Sequence, residues 1–184
     1  ETRIVVGSGS KNDPDTNTGL AHYLEHMMFK GNEKIGTVNW EAEKPYIDKI
    51  TNLYESYKSA KTTKEKERIY SEIDKLSSEA AKYVAPNELS VIVQSLGGSG
   101  YNAYTTNDET VYVLSIPSNE LEKWVRLERT RFGGLVLRLF HTELETVYEE
   151  FNKNQDNDFF WVINDVNKKL YSGHPYGEKT TIGR

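Results

Sequence analysis

Cysteine is absent from the 184 residues. Without a thiol there is no disulfide framework, no thiolate metal site and no cysteine nucleophile. The absence assigns no compartment, since reducing and oxidising surroundings both tolerate it. No apolar run approaches the roughly 20 residues that a bilayer-spanning helix needs. Positive charge is not in excess either: the net charge is −5, with both signs interspersed. That balance argues against nucleic acid, whose binding depends on Lys and Arg neutralising phosphates. Internal repeats and low-complexity segments are missing. There is no initiating Met and no signal-peptide pattern, and the chain opens on the alternation Thr2-Arg3-Ile4-Val5-Val6 and closes at Thr181-Ile182-Gly183-Arg184. Both ends read as cuts through structure, so the lack of a targeting segment says little.

With 36% hydrophobic and 28% charged residues, the composition is that of a globular protein on the polar side. The length suits one domain or a large piece of a bigger one. Residues 2–8 suit a short strand, and 9–18 a loop dense in turn formers. Thr18 is placed to cap a helix from about Gly19 to Lys30, closed by Gly31. Its centre is apolar nearly all round, the pattern of a buried helix. Residues 41–83 read as two helices parted near Ala60-Lys61-Thr62-Thr63, with Ile69, Ile73, Leu76 and Ala80 at helical spacing. That is a surface helical hairpin. A short helix follows from Pro86-Asn87 to about Leu96, then strands Tyr101–Thr106 and Thr110–Ile116 in a hairpin-like arrangement. Ser118 is expected to cap a helix through about Phe132. Thr142, with Glu145 three residues on, has the capping-box spacing for a last long helix. That helix runs past Asn152 and resumes through Asp165 to Tyr171.

A helix turns about 100° per residue, which puts His26 about 40° and Glu25 about 300° round from His22. All three share one face, and imidazoles one turn apart can reach one ion from the same side. Glu25 then stands beside the ion, where a base for an activated water belongs. The pair alone is a weak signal, because a buried histidine bonded to backbone or carboxylate fits the spacing too. Two features strengthen it: the apolar helix around the pair, and agreement with the inverted zincin motif H-x-x-E-H.

Gly19-Leu20-Ala21-His22-Tyr23-Leu24-Glu25-His26-Met27-Met28-Phe29-Lys30-Gly31 closely resembles the metal helix of the pitrilysin, or insulinase-like, M16 peptidases. Gly97-Gly98-Ser99-Gly100-Tyr101-Asn102-Ala103-Tyr104-Thr105, with Asp108, Thr110 and Tyr112, is similar to that family's Asn-Ala block. Thr142 to Glu150 looks like its second glutamate helix, and His174-Pro175-Tyr176-Gly177 also suits it. The resemblance implies an α+β metallohydrolase fold, with an antiparallel or mixed sheet packed on helices. It implies one zinc ion per chain held by His22, His26 and Glu150, with Glu25 as general base and Glu143 supporting the site. Geometry agrees without choosing: Glu143 and Glu150 share a helix face, and Glu149 lies about 100° off it. Asn102, Ala103, Tyr104 and Thr105 would pair with the backbone of a peptide or unfolded polypeptide substrate by strand addition. A plain core strand fits those four residues equally well. His141 and His174 are read as a helix-start residue and a loop residue.

The interval from His26 to Glu150 is longer than the family's usual one, and the hairpin at 41–83 reads as the insertion that fills it. Residues 1–184 are then an incomplete N-terminal peptidase domain. The resemblance also implies a second, homologous domain without metal, in the same chain or a partner chain, and a bacterial periplasmic or envelope setting. The alternative function is a non-catalytic family module serving assembly or peptide binding. A structural zinc domain is a third possibility, although such a site has no use for Glu25.

Overall fold

The computed structural model describes residues 1–183; Arg184, the last residue of the expected domain, lies outside them. Strands β1 (Thr2–Val6), β2 (Ser99–Thr105) and β3 (Thr110–Ser115) form one antiparallel sheet in the order β1-β3-β2. The central strand β3 buries Thr110, Val111 and Tyr112 in succession. Neighbouring strand residues point to opposite faces, so both faces of the sheet are covered there. Strand β2 lies at the sheet edge, and among the described residues it pairs with β3 alone. A register shift between Ser99 and Asn102, next to the positive-φ Gly100, bends its start.

Among the described residues there are eight α-helices: α1 (Leu20–Met27), α2 (Trp40–Ser59), α3 (Thr63–Ala80), α4 (Glu88–Ser95), α5 (Leu121–Phe132), α6 (Phe140–Gln155), α7 (Asp158–Leu170) and α8 (Pro175–Glu178). The protein is thus α+β, with a small antiparallel sheet and many helices. Helices α2 and α3 fold back on each other as the expected hairpin, burying Ile69, Ile73 and Ala80. One core cluster (Ile35, Leu89, Val93, Leu114, Leu127) joins the sheet to α4 and α5. Beside it, the guanidinium of Arg131 is buried, paired with Glu128 and set over the rings of Tyr112 and Phe132 at 4.7 Å. A second cluster, Tyr23, Met27 and Val147 with Phe140 against it, joins α1 to α6. The Tyr23 hydroxyl donates to the Phe140 carbonyl at 2.6 Å, fastening the same pair.

Several helix ends differ from the sequence expectation. Helix α1 is preceded by Gly19 in the left-handed region, and its first amides are bound by Asp13 from the preceding loop: Gly19 N at 2.7 Å and Ala21 N at 2.9 Å. A carboxylate is the stronger acceptor for orphan helix amides, and it displaces Thr18 from the expected capping role. Helix α1 is also not buried all round, since Leu20 and Leu24 are exposed. Ser118 begins a 3₁₀ turn (Ser118–Glu120), and α5 starts after it with no side-chain cap. Helix α6 begins two residues before Thr142, so no capping box forms between Thr142 and Glu145. Helix α7 resumes at Asp158, capped by the Asn157 side chain on Phe159 N, and runs through Asp165 to Leu170.

Candidate metal centre

Helix α1 presents its polar side chains toward α6 and the edge strand β2. The Nε2 atoms of His22 and His26 stand 3.2 Å apart. Glu150, two turns along the same face of α6 as Glu143, brings Oε2 to 3.8 Å from the first and 3.6 Å from the second. Among the described residues this trio is the one cluster of three or more metal-ligating groups. The three separations form a triangle whose centre lies about 2.1 Å from every corner, the bond length zinc makes to nitrogen and oxygen. The donors are also of the kind zinc prefers. Glu149, the neighbouring carboxylate, does not join them.

The outer contacts are as specific. His26 Nδ1 lies 2.9 Å from Glu143 Oε1, and Lys30 pairs with the other oxygen of that carboxylate. A proton on Nδ1 in that bond leaves Nε2 with its lone pair toward Glu150 and His22. The same hydrogen bond holds His26 above the ordinary histidine pKa, against the opposing effect of burial. Burial pushes His22 below it, and the neighbouring His26 adds to the effect. His22 therefore favours the neutral form that can act as a ligand. Burial works to raise the Glu143 pKa, but the hydrogen bonds from His26 and Lys30 outweigh it and the carboxyl titrates low. The remaining ring nitrogen of His22, Nδ1, is buried with no hydrogen-bond partner, so one imidazole is braced and the other is not.

Glu25 is buried, and its Oε2 accepts the Thr105 hydroxyl at 2.7 Å. This bond ties α1 to β2. Asn102, Ala103, Tyr104 and Thr105 line the same cleft as His22, Glu25, His26, Glu143 and Glu150. A larger depression between α7 and α8 gathers no comparable set of donors. His141 lies in the first turn of α6, buried against the hairpin beside Tyr54 and Tyr70. His174 caps α8, its Nδ1 accepting from Tyr176 N at 3.2 Å. Neither reaches the cleft.

A family model described as Insulinase (Peptidase family M16) matches residues 1–66, the segment that contains α1. The curated relatives include an insulin-degrading enzyme homolog of Dictyostelium discoideum, 22% identical over 98% of this chain and 14% of its own. The first third of the chain is thus similar to the M16 peptidases. Solved structures share its fold. A protease from Helicobacter pylori superposes with a TM-score of 0.64 at 23% identity, covering 99% of this chain and 32% of that one. Pitrilysin gives 0.59 at 21% identity, covering 99% of this chain and 14% of its own. The chain thus spans less than a third of the length of these relatives.

Sequence reasoning passed over three contributors here: Lys30 on Glu143, Thr105 as a donor to Glu25, and Asp13 on the start of α1. Lys30 has a local signal, one helical turn past His26. Asp13 reaches α1 from the preceding loop, whereas Thr105 acts across the fold and has no local signal.

Proposed function

We propose that this chain carries the metal site of an M16-type zinc-dependent endopeptidase acting on peptide or unfolded polypeptide. The reading is supported above all by the convergence of His22 Nε2, His26 Nε2 and Glu150 Oε2 around a point at zinc bonding distance. These three residues would hold one zinc ion, which when bound supplies a Lewis acid that makes water a nucleophile near neutral pH and polarises a carbonyl. Three protein donors leave room for a fourth, as a catalytic site requires.

The protein's own groups do the rest. Glu25 accepts the proton of the attacking water and returns it to the leaving amine. The Thr105 hydroxyl occupies one oxygen of Glu25 and leaves the other for that exchange. Glu143 holds His26 in the correct orientation and tautomer. The unpaired edge of β2 at Asn102–Thr105 takes the substrate as an added strand, through main-chain bonds that ask little of its side chains. A second, metal-free domain closing over the cleft and a periplasmic or envelope setting belong to the same proposal. So does the reading of residues 41–83 as an insertion.

Metal analysis of the purified protein, paired with hydrolysis of a quenched peptide with and without a chelator, tests it. One zinc per chain and chelator-sensitive cleavage are expected, with zinc lost in His22→Ala and Glu150→Gln. A metal-free chain at neutral pH, or cleavage indifferent to the chelator, overturns the proposal.

A further inference from the structure

Arg138 is fully buried, 95 residues from its partner Glu43, and every one of its donor atoms is engaged. Nε and Nη2 grip the Glu43 carboxylate at 2.6 and 3.0 Å. Nη1 donates to the carbonyls of Lys30 at 2.7 Å and Ile35 at 3.2 Å, and Nη2 also donates to Asn32 O at 3.0 Å. The loop leaving the metal helix α1 is therefore wrapped around this one guanidinium. Gly36 lets it wrap: its φ is +88°, and a Cβ there would sit 2.4 Å from Lys30 O and 2.8 Å from Arg138 Nη1. The next residue along the chain, Leu139, is held at φ 55° and starts α6, the helix that carries Glu143 and Glu150. A non-glycine residue in that region is strained and persists where its surroundings fix it.

The contacts close a ring. Arg138 holds the Lys30 backbone, the Lys30 side chain holds Glu143, and Glu143 holds His26. We propose that Arg138 is a positioning residue for the metal centre. Through the buried pair with Glu43 it sets the spacing between the two histidines of α1 and Glu150 of α6. The helical hairpin, which contributes Glu43, is then a buttress of the site rather than a surface appendage. This inference rests on the zinc reading above.

The experiment uses the intact protein with Zn2+ and, as a spectroscopic probe, Co2+. Arg138→Lys keeps the charge and loses the forked geometry. It should fold and bind Zn2+ about tenfold more weakly, the lower end of what outer partners of a ligand contribute, with an altered Co2+ ligand-field spectrum. A variant that melts lower, yet below its melting range binds Zn2+ as tightly and gives the native spectrum, overturns the proposal. Hydrogen exchange on the unmodified protein covers the case in which Arg138→Lys does not fold. Coupling between sites is reciprocal, so Zn2+ should slow exchange of the amides of residues 30–36 and 138–140. Exchange there that ignores the metal overturns the proposal as well. Wild-type protein that takes up no Zn2+ defeats the zinc reading itself, whereas the other two negative results leave that reading standing.

Discussion

His26 Nδ1 and Glu143 Oε1, 117 residues apart in sequence, meet at 2.9 Å. That bond joins the helix of the imidazole pair to the helix of the carboxylates, and a proton held in it leaves His26 Nε2 facing His22 and Glu150.

Glu143→Gln should lower zinc affinity at neutral pH about 10- to 100-fold, the usual effect of removing a carboxylate behind a ligating imidazole. It should also shift the pH dependence. A proton on His26 Nε2 competes with metal, and the Glu143 bond raises the His26 pKa. In the native protein, affinity should therefore decline as pH falls through a value above the ordinary histidine range, about 6.5. Without the carboxylate that decline moves to lower pH. Zinc titrations against a chromophoric chelator from pH 5 to about 8 would show both effects, and an unmoved midpoint would remove Glu143 from the account.

Glu25→Gln should keep its zinc and lose hydrolysis by about 10²- to 10⁴-fold, the range of a general base. Thr105→Val should leave metal content intact and lower hydrolysis, because it strips the hydroxyl that orients Glu25. Metal content and peptide hydrolysis measured on the same samples separate catalysis from metal binding.

Met27 is fully buried in the cluster that joins α1 to α6. Met27→Ala should destabilise the fold by about 2–5 kcal/mol, as a buried Met→Ala change does through lost transfer energy and the cavity left behind. Urea unfolding monitored by circular dichroism gives the number. A change below about 0.5 kcal/mol, typical of surface sites, would mean that the α1–α6 contact contributes little.

Asp13→Ala removes the acceptor for two amides at the start of α1. A loss of about 0.5–2 kcal/mol is expected, the range for a helix cap. Thermal melts of the variant beside the unmodified protein test it, and an unchanged melting temperature would remove Asp13 from the account.

Much of the site was legible in the sequence because it is local. The pitch of a helix places His22, Glu25 and His26 on one face whatever surrounds them, and the same pitch puts Glu143 and Glu150 in line. The alternation and turn residues of 99–115 marked the hairpin that forms β2 and β3. Helix ends were less legible. Thr18 and Thr142 are good caps by type, but Asp13 outcompetes the first, and the anchored Arg138–Leu139 segment starts α6 before the second is reached.

Chain order and residue type by themselves offered the candidates, His22, Glu25 and His26 on one helix and Glu143 and Glu150 aligned on another, while the preference for Glu150 came from the family resemblance. Only the tertiary structure decided that α1 and α6 pack with Met27 and Val147 between them, so that Glu150 and not Glu149 meets the histidines. It alone disclosed the buried pairing of Glu43 with Arg138. The physical reason is range. Helical periodicity is written within a few residues, while a contact across 95 positions leaves no pattern along the chain and forms only when burial brings its partners together.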